Sequence, residues 1–194
     1  MPAGADDPVP FRGAAPWTAS ARLHAAGQLR SRLLLHTSPT TVATVGAEYF
    51  RELFTARTVT VSTLQDNQYE DLVSVGFLPP REEFYPPETA DSALYPASLF
   101  PLAVEELRRH QGYFTSDLHD PKYAEFVGSR DDVDVSSIMG VAIMTAGALC
   151  GEVFCTRGAQ QHAFDGEDLT LARDLATSFG SALMTALRVA TTDR

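Results

Sequence analysis

Two cysteines, one tryptophan and one lysine (Lys122) stand in a chain of 194 residues. Two thiols cannot build a disulfide framework, so the expectation is a cytoplasmic protein with reduced cysteines. With lysine almost absent, arginine supplies the positive charge, and 25 acids against 15 bases give a formal net charge of -10. The imbalance is uneven: residues 1–57 carry 6 arginines against 4 acids, and residues 58–194 carry 9 bases against 21 acids. Phosphate backbones and anionic lipid surfaces need clustered Lys and Arg, which argues against nucleic acid and membrane as partners of the main body. Long apolar runs are missing too. Stretches such as Leu33-Leu34-Leu35 fall far short of the roughly 20 residues a bilayer requires, and no signal-peptide hydrophobic region follows Met1. What is present, 44% hydrophobic and 21% charged residues, suits one packed domain.

Pro2, Pro8, Pro10 and Pro16 among Gly, Ala and Asp make residues 1–17 a disordered N-terminal tail by expectation. Leu23, Ala26, Leu29 and Leu33 then recur at spacings of three and four, predicting an extra helix over about 18–36. Ser38 as N-cap and Pro39 at the first helical position open a second helix with the stripe Val42, Val45, Tyr49 and Leu53. The period then falls to two. Thr58 to Leu64 and Leu72 to Phe77 are rich in β-branched residues, and the Asp66-Asn67-Gln68 turn between them predicts a hairpin. Residues 79–101 hold half of the 12 prolines and read as an irregular lid or binding loop. A short helix, Leu102 to His110, precedes Gly112-Tyr113-Phe114. A second hairpin pairs Ser137–Met144 with Leu149–Thr156 across Ala146-Gly147-Ala148. The last helix begins at Phe164-Asp165-Gly166-Glu167-Asp168, with Asp165 as cap, and carries the stripe Leu169, Ala172, Leu175, Phe179, Leu183 and Leu187. Two hairpins with helices at the ends make an α+β fold, an antiparallel sheet flanked by helices.

The stretch Ser137-Ile138-Met139-Gly140-Val141-Ala142-Ile143, followed by Gly147-Ala148-Leu149-Cys150-Gly151-Glu152-Val153-Phe154, resembles the penultimate hairpin of GAF domains. Phe164, Asp168 and Leu175-Ala176 are similar to that family's closing "F-x-x-x-D … LA" helix, and Gly112, Asp117 and Asp120-Pro121 to its "G … D … D-P" stretch. The likeness spans roughly residues 38–190. It implies a sheet of about six strands, terminal helices packed together and pairing two subunits, and a small-molecule pocket under the loop-rich segment. Ligands of the family include cyclic nucleotides, nitrate, haem, bilins and amino-acid derivatives, so the resemblance leaves the cofactor unknown. The cyclic-nucleotide signature "N-K … F-x-x-x-D-E" is incomplete here. Thr156-Arg157 stand at Asn-Lys, and Leu169 replaces the final Glu.

Pocket candidates follow from chemistry. Arg81, Tyr85, Tyr95 and Phe100 offer aromatic walls with a polar group in the Pro-rich segment. His110, Asp117 and His119, with Asp120, cluster at the expected rim, although their spacing fits no metal motif and turn chemistry explains Asp117 and Asp120. Cys150 and Cys155 lie five apart in one strand, hence on opposite faces and about 16 Å apart if the strand is regular, which excludes a mutual disulfide. Either could line the pocket or simply fill the core as a small apolar residue. The enzymes that resemble this family, free methionine-(R)-sulfoxide reductases, use cysteines before the penultimate hairpin. Residues 78–136 contain none, so no catalytic residue and no enzymatic activity is expected. The rim is electronegative, with 12 acids against 5 bases over residues 81–134.

The resulting expectation is a stand-alone cytoplasmic sensor, homodimeric through its terminal helices, that binds a small molecule and signals to a protein partner. Nothing in the chain resembles a kinase, a cyclase or a DNA-binding helix-turn-helix. The alternatives are a ligand-free interaction module and a thiol- or haem-based redox sensor.

Overall fold

The computed structural model describes residues 17–76, 94–118 and 135–192. Helices α1 (Ala19–Leu33) and α2 (Pro39–Leu53) precede strands β1 (Thr58–Gln65), β2 (Gln68–Gly76) and β3 (Leu94–Pro96). A short 3-10 turn (Ala97–Leu99) leads to α3 (Pro101–His110), β4 (Gly112–Thr115), β5 (Ser137–Thr145), β6 (Ala148–Arg157) and α4 (Gly166–Thr192). The strands form one antiparallel sheet in the order β3-β2-β1-β6-β5-β4. An α+β fold with six strands is therefore what the sequence builds.

Both hairpins close on two-residue turns whose residues are left-handed: Asp66 and Asn67 (φ 50° and 63°), then Ala146 and Gly147 (φ 51° and 82°). Such turns match the twist of the strands they join. The first one starts β2 at Gln68, four residues ahead of the β-branched run that announces it. Strand β3 was not expected inside the Pro-rich segment. It survives because it is a three-residue edge strand, where Pro96 costs no central ladder bond. The rest of the lid expectation, residues 79–93, lies outside the described residues, as do residues 1–16.

Helices α1, α2 and α4 cover one face of the sheet. Val59, Val61, Met139, Val141, Ile143, Val153 and Cys155 point from the strands into that core and meet Phe50, Phe54, Leu175, Phe179 and Leu183. The α4 stripe is thus consumed within the chain: Leu175, Phe179 and Leu183 are wholly buried. On α1 the buried residues are Ala25, Leu29 and Leu33, one every four, which turns Leu23 outward to 76% exposure, against the expected stripe. The helix is tied down by Tyr49, whose hydroxyl donates to Ala25 O at 2.8 Å, and by an ion pair of Arg22 with Asp174. Thr18 caps α1, accepting from the Ala21 N–H at 3.1 Å. Ser38 stands at the N-cap of α2 without a side-chain capping bond, so Pro39 alone marks that start. Trp17, expected at the end of the loose tail, packs on the helical core, and its indole N–H donates to Asp168 Oδ1 at 3.4 Å.

Candidate functional site: the polar face of the sheet

The opposite face of the sheet is covered differently. Helix α3 packs Ala103 and Leu107 over Ile138, Ala142 and Tyr113. A second small cluster gathers Tyr69, Tyr95, Ala97 and Val104. Between these apolar clusters the strand alternation brings up polar side chains. Ser62 on β1 pairs with Asp71 on β2 and with Glu152 on β6, so the three stand in one row across adjacent strands. The bulge in β1–β2 after Val61 is what sets Asp71, not Leu72, opposite Ser62.

Each carboxylate is held by hydroxyls. Asp71 Oδ1 accepts from Ser62 Oγ at 2.7 Å and from the Tyr95 hydroxyl at 2.8 Å. Glu152 Oε1 accepts from the Tyr113 hydroxyl at 2.7 Å. Tyr95 stacks on Tyr69 (ring centroids 5.6 Å apart) and receives the edge of Phe100 at 5.9 Å. The Tyr69 hydroxyl is buried and has no hydrogen-bond partner among the described residues. An unpaired buried hydroxyl costs on the order of 1–3 kcal/mol, so this arrangement is not one that packing alone would select. Gly140 makes room for the pair beside it: a Cβ there would lie 2.2 Å from Glu152 Oε1 and 2.4 Å from the Tyr113 ring.

Burial dominates the electrostatics. It pushes the Glu152 carboxyl from its ordinary 4.5 up to about 7; the Tyr113 hydrogen bond pulls back, and the Asp71 charge pushes the same way as burial. Burial also raises the Tyr69 hydroxyl far above its usual range; the Glu152 charge adds to this and Arg108 on α3 opposes it. A charge in this row is therefore costly unless something compensates it.

Of the residues singled out from the sequence, Tyr95 and Phe100 belong to this face. His110 sits exposed in the last turn of α3, 3.9 Å from Glu106. Asp117 is exposed beyond β4, its backbone N–H donating to Thr115 Oγ1 at 3.0 Å. Cys150 is half-buried near the β5–β6 turn, at the register shift where Gly151 pairs with Ile143 and Leu149 with Met144. Cys155 is on the helical side, where burial lifts its thiol well above the ordinary range; both cysteines are free. The structure does not bring these four to one place. Arg81, Tyr85 and His119 lie outside the described residues. Ser62, Tyr69, Asp71, Tyr113 and Glu152 escaped the sequence reading. Their signal was a glutamate in mid-strand with the same parity as Phe154, facing a glycine in an otherwise apolar strand.

The motif residues of the closing helix do structural work. The Arg157 guanidinium donates to Phe54 O at 2.9 and 2.5 Å, to Asp168 Oδ2 at 2.9 Å and to His162 O at 3.2 Å, and lies 4.0 Å over the Phe164 ring. Asp165 caps α4 as expected, Oδ1 accepting from the Glu167 and Asp168 N–H groups at 2.9 Å each. Among the described residues no helix is long and apolar enough to cross a membrane.

No protein-family model and no curated protein matches the sequence. Solved structures do match in shape. The GAF domain of an Acinetobacter phosphoenolpyruvate-protein phosphotransferase aligns with a TM-score of 0.66 at 13% identity, over 89% of this chain and 98% of that one. The chromophore-binding domain of a bacteriophytochrome from R. palustris gives 0.65 at 10% identity, over 90% of this chain and 65% of that one. Free methionine-R-sulfoxide reductase from Neisseria meningitidis, in complex with its substrate, gives 0.64 at 14% identity, over 93% and 98%. Such likeness speaks to architecture alone, and on that ground this chain has a GAF-like fold.

Proposed function

We propose that this protein is a cytoplasmic sensor that binds a small molecule on the polar face of its sheet and passes the signal on by protein contact. The observation that carries the reading is the row of half-buried Asp71 with buried Ser62 and Glu152, beside a Tyr69 hydroxyl that has no hydrogen-bond partner among the described residues. Polar groups placed between two apolar clusters are what a small-molecule site needs for orientation, and a core has no use for them. Two proteins of similar shape support a ligand on this scaffold, one a chromophore-binding domain and the other bound to its substrate. The reading includes no catalysis, because residues 78–136 hold no cysteine.

Signal output through the terminal helices, in a homodimer, is the second half of the proposal. Leu23, Leu34 and Leu35 are 75–81% exposed on and just after α1. Native mass spectrometry beside the denatured mass tests both halves. The expected result is a dimer carrying extra mass that is lost on denaturation, and Leu23→Asp yields monomer with its fold intact by circular dichroism. A ligand-free mass that no metabolite mixture changes refutes the sensor, and a dimer unmoved by Leu23→Asp refutes the interface.

A further inference from the structure

We propose that α3 is a pH-controlled cover: ionisation of Glu152 beneath it releases the helix and opens the polar face of the sheet. The device stands whether or not that face takes a ligand. Glu152 is the neighbour of Ala142 in the β5–β6 register, and Ala142 lies under Ala103 and Leu107 of α3. The helix therefore shields the carboxylate from water. Among the described residues Glu152 receives one side-chain hydrogen bond, from the Tyr113 hydroxyl at 2.7 Å, and pairs with no cation. A neutral carboxyl tolerates such a site. An ionised one lacks the donors and the opposite charge that would replace its hydration.

Of the elements around the carboxylate, α3 is the one that gives way. It is 10 residues long and anchors through three buried side chains, Ala103, Val104 and Leu107, whereas α4 buries ten residues. Elements with few buried apolar contacts are the ones that open locally. Detached from the sheet, a helix shorter than about 12 residues does not keep its hydrogen bonds in water, so release of α3 is local unfolding. The strand beneath is fixed by comparison. Glu152 sits on β6, which is paired along both edges, to β1 and to β5. Lifting the cover disrupts less than moving a central strand.

The groups facing Glu152 set the sign of the response. From β2 come Tyr69 and Asp71, whose charge favours the protonated form of Glu152; β4 brings Tyr113, β1 Ser62, and β5 the neutral Gly140 and Ala142. On α3, Arg108 acts on Tyr69, Glu105 pairs with Arg109, and Glu106 lies 3.9 Å from His110. Under the helix the Glu152 carboxyl holds its proton up to about pH 7; in water its ordinary value is 4.5. The closed state thus binds the proton more tightly, and raising the pH favours the open one. The opening equilibrium of α3 should rise about 70-fold from pH 5 to pH 8 and level off above that.

Hydrogen exchange of the full chain, followed by NMR from pH 5 to pH 8 and corrected for the intrinsic exchange rate, tests the proposal. The amides of Val104 to Gln111 report on α3, and those of Leu175 to Leu183 on α4 serve as reference. Expected are weaker protection in α3 than in α4 at every pH and an α3 opening constant that climbs by the factor given above. Glu152→Gln keeps the volume and an acceptor for Tyr113, and in it the climb should vanish. Tyr113→Phe removes the hydrogen bond that favours the ionised carboxylate and should extend the climb to higher pH. Equal protection of α3 and α4 overturns the proposal, because the carboxylate is then freed only by global unfolding. An opening constant that is flat with pH in the native sequence overturns it as well. So does a climb that survives in Glu152→Gln, which would assign the response to the His110–Glu106 pair, histidine being the other residue type that changes charge in this range.

Discussion

Glu152 should make this protein less stable as the pH rises, and a single isosteric change should remove the effect. The residue is 9% exposed, and its carboxyl moves from 4.5 in the unfolded chain to about 7 in the fold. A carboxyl raised in this way is protonated at little cost below pH 4.5, where its full contribution to stability is present. As the pH climbs from 4.5 through 7 the unfolded chain releases the proton first, and stability falls until both states are ionised. Two and a half pKa units correspond to about 3 kcal/mol. In a chain of this length that is a Tm difference of roughly 6–12 °C. Glu152→Gln cannot ionise, so it should match the native sequence at pH 4 and exceed it by about 3 kcal/mol at pH 8. Urea unfolding at the two pH values, with m compared to confirm that the unfolded states are alike, measures the difference. A Glu152→Gln increment that is the same at both pH values would falsify the claim that a desolvated charge sits on this face.

Three further outcomes follow from contacts already described. Arg157→Ala leaves Asp168 buried without its guanidinium and removes the two guanidinium hydrogen bonds to Phe54 O, so urea melts should show a loss of about 3–5 kcal/mol. A loss under 1 kcal/mol would mean the ion pair is dispensable. Gly140→Ala forces a Cβ against Glu152 Oε1 and the Tyr113 ring, and should cost about 1–3 kcal/mol while shifting the Tyr113 ring resonances; an unshifted spectrum would contradict the geometry. Iodoacetamide should add one label to the native protein, at Cys150, and two after denaturation, because Cys155 is buried and its thiol is raised. Native labelling of Cys155, read by peptide mass spectrometry, would refute that.

The elements that could be read from the sequence are those specified by neighbours in the chain. A β-branched run, a left-handed Asp-Asn turn and the Asp165 cap each act over a few residues, and the strands and helices they announce are there. Leu23 misled because the α1 stripe admits two faces two residues apart, and only the position of α4 decides between them. The polar row was hidden for a stronger reason. Ser62 and Glu152 are neighbours only because β1 pairs with β6, ninety positions away, and Asp71 joins them only through a bulge. Neither fact is local. The rim histidine and aspartate looked promising because they are close in sequence, yet His110 ends a helix and Asp117 follows a strand, and both face water.

The pairing of β1 with β6 also sets the order in which the chain can assemble. The centre of the sheet joins an early strand to the last one, so β1 has its β2 edge satisfied at once and its other edge bare until β6 has been synthesised. Closing so long a loop is entropically slow, and an unpaired edge in the interval is open to strands of other chains. Folding of this protein should therefore be limited by that one central ladder, and a nascent chain halted before Ala148 has every outer hairpin residue of β1 and β2 but no closed sheet to hold them.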